Sequence, residues 1–464
     1  MDVRLRGHDD TAGFKIQLTA YYMNSPLNSV KETCSHKQNR LRYPLTVMAE
    51  GETLLSIDYP RLRYIQAVPF EDEGRTRIAI HDPLGFAQTS LYLPYHIYFV
   101  ISHFDGQHSL VDIQEAFAKQ FGQVLPREQL NSLIAQLDEY YYLDSERFAA
   151  LQNEIYAAFQ RSSVREMAHA DTCYSSQPGE FREQTDALFR SPDGPGLPSD
   201  GQSSLPPVRG LIVPHIDLRV GGAAYAWGYK ELAERCDADL FILLGTSHYG
   251  AQDLFVACEK DYNTPLGPVK TDREFIRVLQ QNCGEDLLAS ELIHRTEHSL
   301  EFQTLFLQYV LGQRREFTVV PILVTSFHHM ILTKTPPAET QRVAAFIDAL
   351  RATIAQSGKR VCFVAGVDFA HVGQKFGDQG PLTQDFLNWV ESEDQRLIQA
   401  LENLDHASFF AEIATNGDQR RVCGFAPMYT FLHLVEATQG KLLKYAYAET
   451  APHSAVSFAS LAFY

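Results

Sequence analysis

The chain has 464 residues, 45% of them hydrophobic and 21% charged, which describes a globular protein long enough for two or three domains. Its 57 acidic against 40 basic residues leave a net charge of −17, which argues against a nucleic-acid binder held by phosphate contacts. No stretch approaches the roughly 20 uninterrupted apolar residues of a membrane span. The N-terminus MDVRLRGHDD lacks the apolar core of a signal peptide, so a cytoplasmic protein is expected. Seven scattered cysteines without CxxC pairs form neither a disulfide framework nor a zinc ribbon.

Residues 1–50 carry no sustained period of two or 3.6 and are expected to be poorly ordered, with Met48 as an alternative start. A small domain is expected over 58–150. YIQAVPF and RIAIHDPLG predict short strands, with Asp82-Pro83 and Gly85 as punctuation. Three helical stretches follow, Tyr95–Phe104, Ser109–Phe121 and Arg127–Tyr142. Ser109 is the expected N-cap of the second and Gly122 its stop. The Asp105-Gly106 turn, the Ser-Leu-x-x-Ile helix start and the closing Leu-x-x-Leu-Asp run resemble the PqqD-like winged-helix domains. That resemblance implies that a peptide or partner-protein segment is bound by β-augmentation. A structural or dimerising domain is the alternative, and Tyr140–Tyr142 are read as helix packing.

Helical character continues to about Ala170. The Ser-, Pro- and Gly-rich run SSQPGEFREQTDALFRSPDGPGLPSDGQSSLPP then predicts a linker, so 151–207 is read as helix and linker. From Val208 to the end, continuous apolar strands alternate with helices. RGLIVPH, DLFILLGTSH, LFVAC, TVVPILV, VCFVAG, KLLKYAYAET and SAVSFASLAFY are the strands, with helices from Asp272, around His298 and over Arg342–Ile354 between them. This predicts an α/β domain with a mainly parallel sheet covered on both faces.

Three of these strands end in polar clusters: Pro214-His215-Ile216-Asp217, Gly245-Thr246-Ser247-His248 and Val367-Asp368-Phe369-Ala370-His371. If the strands are parallel neighbours, the clusters meet at the carboxyl edge of the sheet, where open α/β sheets bind ligands. His298 and Glu301 would share one face of a helix and orient one another or a ligand. Cys423 lies in a turn before a helix, behind Arg420 and Arg421, and both the arginines and the helix N-terminus would favour its thiolate. Thr264–Gly267 reads as a structural turn and His328-His329 as surface.

LIVPHIDLRVGG, LLGTSHYG, NTPLG, EHSLEFQ, VDFAHVG, VCGFAP and SAVSFAS occur in the order of the Memo family across 208–464. With the added N-terminal domain, the chain resembles the bacterial proteins called AmmeMemoRadiSam system protein B. The resemblance implies a fold like the class III extradiol (LigB-like) dioxygenases, with metal ligands at His215, His248 and Cys423. It places further pocket residues at His298, Asp368 and His371. Two imidazoles and a thiolate suit iron or copper ahead of zinc. Extradiol enzymes carry a carboxylate where Cys423 stands, so ring cleavage is not expected to carry over. The family name further implies a radical S-adenosylmethionine protein as partner. Two readings follow, a metal-dependent redox protein and a non-catalytic binding scaffold in that system. A thiol hydrolase pairing Cys423 with His298 would leave the two strand-end histidines unexplained.

Overall fold

A computed structural model describes residues 19–22, 57–72, 75–87, 89–199, 205–249, 251 and 253–464. The chain divides into two compact units, one ending at Ile155 and one running from Tyr156 to Tyr464.

The first unit holds strands β1 (Thr19–Tyr22), β2 (Gln66–Asp72), β3 (Arg75–His81) and β4 (Thr89–Pro94). Helices α1 (Tyr95–Ile101), α2 (Leu110–Phe121) and α3 (Arg127–Glu139) follow, and α4 (Glu146–Arg161) leads out of the unit. The strands form one antiparallel sheet in the order β1-β4-β3-β2. Ser109 caps α2 in a reciprocal box with Asp112, and Gly122 ends it in the left-handed conformation. Tyr142 is buried with its hydroxyl donating to the Ile80 and Thr89 carbonyls, which is the packing role expected of it. The poorly ordered extension expected over 1–50 falls outside the described residues, apart from β1.

The second unit opens with β5 (Val164–Arg165) and α5 (Pro178–Arg190). It continues through β6 (Gly210–Val213), α6 (Leu218–Arg235), β7 (Leu240–Thr246), β8 (Phe255–Ala257), β9 (Asp261–Tyr262), α7 (Arg273–Cys283) and α8 (His298–Leu311). Then come β10 (Thr318–Val324), α9 (His328–Leu332), α10 (Gln341–Ser357), β11 (Val361–Gly366), β12 (His371–Gly373), α11 (Gln384–Glu402), α12 (His406–Asn416), α13 (Phe425–Leu434) and the hairpin β13 (Gly440–Ala451) and β14 (Ser454–Phe463). The main sheet runs β12-β14-β6-β11-β7-β10-β8, with β13 paired to β14. Its centre, β6-β11-β7-β10, is parallel, and antiparallel strands close both sides. Alternate residues of β7 enter two different cores: Leu240, Ile242 and Leu244 one, Phe241 and Leu243 the other. A strand buried on both faces needs an apolar residue at every position, which is why these strands read as unbroken apolar runs.

The stretch expected as a linker is part of this unit, a correction to the boundary at 208. β5 pairs with β9, and α5 buries Phe181, Thr185 and Phe189. α5 packs so closely on α6 that a Cβ at Gly222 would lie 2.4 Å from a Leu188 methyl. The four-residue spacing of its buried face is helical, but Pro178 at the helix start and the Ser/Pro/Gly residues around it give the segment a linker's composition.

Candidate metal centre

The parallel register of β6, β11 and β7 brings their carboxyl ends together, and with them His215, Asp368 and His248. α8 lies across these ends. Gln303 on α8 donates to the Pro214 carbonyl at 2.9 Å, and Ser299 Oγ donates to the Thr246 carbonyl at 2.9 Å. A Cβ at Gly366 would sit 2.4 Å from the Ser299 carbonyl, so only glycine lets β11 end this close to the helix.

His215 is 2% exposed. Its Nδ1 lies 3.0 Å from the Gly366 carbonyl, which can only accept, so Nδ1 carries the proton and Nε2 keeps its lone pair. Nε2 faces Cys423 Sγ at 3.3 Å and Asp368 Oδ2 at 3.5 Å. Burial, with the His248 imidazole beside it, holds His215 neutral, far below the ordinary histidine value.

His248 is held by Glu297. The carboxylate accepts from the His248 backbone N–H at 2.8 Å and from Nδ1 at 3.0 Å, so here too Nε2 is left as the donor atom for a ligand. Burial works against charge on this imidazole, but the carboxylate outweighs it and raises the His248 pKa. Burial alone would raise Glu297, yet the His248 and His298 imidazoles and the His248 N–H keep it well below the usual carboxylate range. Glu297 is also the N-cap of α8, accepting from Ser299 N–H at 3.0 Å.

Cys423 precedes α13 in a loop stitched to the end of β11. Its carbonyl accepts from Thr246 Oγ1, and Gly424 N–H donates to the Asp368 carbonyl at 3.1 Å. Arg420 and Arg421 do not face the thiol, contrary to expectation. Arg420 is buried against Asp394 and Arg421 pairs with Asp378, so both charges are spent on carboxylates. Burial, with Asp368 nearby, pushes the Cys423 thiol well up. The arginines act on geometry instead. His371 N–H donates to the Arg420 carbonyl at 2.7 Å and Arg421 Nη1 to the His371 carbonyl at 3.0 Å, tying the Cys423 loop to β12. Arg421 holds a left-handed φ of 51° in this loop.

The ligand atoms of His215, His248 and Cys423 all lie within 4.8 Å of one another. A metal bonding an imidazole at about 2.1 Å and a thiolate at about 2.3 Å holds those atoms roughly 3.5 Å apart. The His215–Cys423 spacing fits that value. The other three expected pocket residues border the trio. The His298 ring stacks on His248 with centroids 4.6 Å apart. Asp368 accepts from His215 N–H at 3.0 Å, and burial raises its carboxyl to about 6. His371 is half-buried, with Nδ1 3.1 Å from the Phe369 carbonyl, and burial lowers its pKa. His248, Glu297 and His298 form a second group of ligand spacing, but Glu297 already accepts three N–H groups there.

Glu301, expected to act with His298, does not. It turns away into a fully buried ion pair with Arg165 and also accepts from the Ala168 and His169 N–H groups and the Tyr174 hydroxyl. Glu297 is the carboxylate that holds His248, and it escaped the sequence reading. No sequence signal marked it, because Glu is not among the residues favoured at a helix N-cap. His169 was missed as well. Its ring lies 5.7 Å from His298 and its Nε2 donates to the Thr296 carbonyl at 2.9 Å. No local pattern marks it, since it arrives from a segment 127 residues away from that carbonyl.

Among known proteins, residues 165–462 match the Memo-like protein family. The match starts at the segment carrying Arg165 and His169. A MEMO1 family protein of Aquifex aeolicus is 30% identical over 409 residues, 87% of this chain and 100% of that one. MEMO1 family proteins of Methanopyrus kandleri (32% over 293 residues, 61% of this chain and 91% of that one) and Thermus thermophilus (25% over 335 residues, 72% and 92%) are also similar. With the ordered motifs on the strand ends where they were expected, this likeness over nearly the whole length means that the chain belongs to the Memo-like family.

Proposed function

We propose that this protein holds one redox-active metal ion, iron or copper, through His215 Nε2, His248 Nε2 and Cys423 Sγ. The observation that carries the reading is the pair of fixed tautomers. Each imidazole donates its Nδ1–H to an acceptor of the protein, which leaves Nε2 without a proton, and the three residues offer ligand atoms within 4.8 Å of one another, His215 Nε2 lying 3.3 Å from the thiol. Zinc accepts the same donors but brings no redox chemistry. Bound iron or copper would supply electron transfer or oxygen activation. Around it Asp368, with its carboxyl near 6, holds or releases a proton close to neutral pH, while burial keeps His371 and His298 neutral. The parallel centre of the sheet supports a LigB-like relation. With a thiolate in place of the single carboxylate ligand, ring cleavage is not part of the proposal. Anaerobic loading with Fe(II) or Cu(I), followed by absorption and oxygen-uptake measurements, tests it. The expected result is a thiolate-to-metal band that vanishes in Cys423→Ala. Metal bound without such a band, or with no response to oxygen, contradicts the redox role.

A second reading, a scaffold for a radical S-adenosylmethionine partner, rests on the N-terminal unit. Its antiparallel sheet and three helices support a PqqD-like winged-helix domain that takes a peptide or protein segment. A radical enzyme co-purifying anaerobically with the full chain, and lost when residues 58–150 are removed, would support this role. No such protein retained by the full chain would count against it. No helix among the described residues is long and apolar enough to cross a membrane.

A further inference from the structure

The order of strands in the main sheet leaves the outer edge of β13 open. Among the described residues β13 pairs with β14 along one edge and with no other strand. It is 12 residues long, whereas the terminal strands β8 and β12 have three residues each. A short terminal strand offers little to pair with, but a long open one presents a row of unpaired main-chain groups. Both faces of β13 are already covered, since Leu442 and Tyr445 lean on one core and Leu443 on the other. The edge is what remains.

The hydrogen bonds of β14 fix which groups lie on that edge. In an antiparallel pair, two directly opposite residues turn their N–H and C=O groups either toward each other or away from each other. The Ser457 N–H donates to the Ala370 carbonyl at 3.0 Å, and the Ser457 carbonyl accepts from the Phe369 N–H at 2.8 Å, both away from β13. Tyr447, opposite Ser457, therefore turns its own N–H and C=O outward, and by alternation so do Tyr445 and Glu449. Leu442 also points outward, and Glu402 accepts from its N–H at 2.7 Å. From Lys444 to Glu449 the register is unbroken, with a bulge on either side. No main-chain hydrogen bond from the described residues reaches the outward groups of Tyr445, Tyr447 and Glu449. The stretch contains no proline, Lys444 is paired with Asp193, and Tyr447 is 40% exposed.

We propose that β13 is a dimerisation edge, on which a second copy of this chain lays its own β13 antiparallel, about a two-fold axis at Tyr447. The three outward residues are spaced evenly about Tyr447, so the edge is complementary to itself. Tyr447 of one copy meets Tyr447 of the other, and Tyr445 of each meets Glu449 of the other, with two main-chain hydrogen bonds to a pair. Ala446 of each copy then lies opposite Ala448 of the other, in the pairs where side chains come closest and small ones fit. This internal symmetry favours a second copy over an extended peptide of another protein, which would need no such centre. The edge contains no metal ligand, so the inference does not rest on the metal reading.

The test weighs the full chain by light scattering after size exclusion, over a dilution series, wild type beside Tyr447→Pro. Proline there removes only an N–H that points away from β14, so the hairpin keeps its own hydrogen bonds. The wild type is expected to pass from twice the mass of one chain toward a single chain on dilution, while Tyr447→Pro stays at a single chain throughout. Residue-resolved amide hydrogen exchange of the wild type gives an answer even if the proline disturbs the fold. The Tyr445, Tyr447 and Glu449 amides should exchange about tenfold faster in dilute than in concentrated protein, and the Ala446 and Ala448 amides, bonded to β14, should stay protected in both. A single-chain mass at every concentration would overturn the proposal. So would a dimer whose three outward amides exchange equally fast at both concentrations, which puts the contact elsewhere. Outward amides protected in a single chain would mean an occupant from the same chain and overturn it too.

Discussion

Around the first turn of α8, Glu301 and Glu297 are both buried from solvent, 0% and 1% exposed, and serve opposite ends. On the Arg165 side every polar group is used up within the protein. Glu301 accepts four hydrogen bonds, and Arg165 donates to the His294, Glu297 and Glu166 carbonyls at 2.9 Å as well as to Glu301. On the strand-end side the accounting stops short. Glu297, the Gly366 carbonyl and Asp368 take the N–H groups of His215 and His248, and each imidazole keeps an Nε2 lone pair, that of His215 facing Cys423. Buried polarity alone therefore does not mark a site; what marks it is the donor atom left over once the protein's own hydrogen bonds are counted.

The largest effect is expected where the closed cluster is broken. Glu301→Ala strands a buried guanidinium, for which a loss of about 3–5 kcal/mol is expected in denaturant unfolding. The folded fraction should still bind a full complement of metal, and loss of metal from folded molecules would erase the distinction between the two clusters. Next is Glu297→Gln, which weakens the grip on His248 Nδ1. Metal affinity should fall by about 10–100-fold in chelator competition, with a smaller change in stability than Glu301→Ala causes. An unchanged affinity would remove Glu297 from the site.

The same carboxylate sets a pH dependence. A metal binds only the neutral imidazole, and Glu297 raises the His248 pKa above its ordinary 6.5, so protons compete for this ligand up to a higher pH than for a free histidine. Metal uptake should weaken as pH falls through that raised value, and in Glu297→Gln the weakening should begin at lower pH. A midpoint that moves up in the variant contradicts this account of His248. The smallest effect serves as a control outside both clusters. Ser109→Ala removes the cap of α2 and should cost about 1 kcal/mol in the unfolding of the N-terminal unit, with metal content unchanged.

Much of the site could be read from the sequence because β6, β7 and β11 are buried on both faces. Their apolar runs are unmistakable, and whatever polar residue ends such a run must lie at the sheet edge. His215, His248 and Asp368 follow from that argument. His371 belongs to the same strand-end cluster as Asp368, Cys423 and His298 were marked by their places at helix starts, and the ordered motifs supplied the division of all six into metal ligands and pocket residues. The partners of these residues did not follow, because hydrogen-bond bookkeeping is long-range. Glu301 has the spacing to meet His298 on a helix face, but Arg165, 136 residues earlier, claims it. Arg420 and Arg421 sit beside Cys423 in sequence, yet Asp394 and Asp378 draw their charges away. α5 was hidden by its flanks, since Pro at a helix start and a Ser/Pro/Gly surround look like linker until Phe181 and Phe189 are seen to be buried.

The most direct test of the central claim is the metal content of the full chain purified without oxygen, wild type beside Cys423→Ala and His215→Ala, with circular dichroism to confirm folding. The account predicts close to one equivalent of iron or copper per wild-type chain and its loss from both folded variants. Full occupancy in either variant, or a wild-type protein that takes up no metal when offered it, would contradict the assignment of this edge as a metal centre.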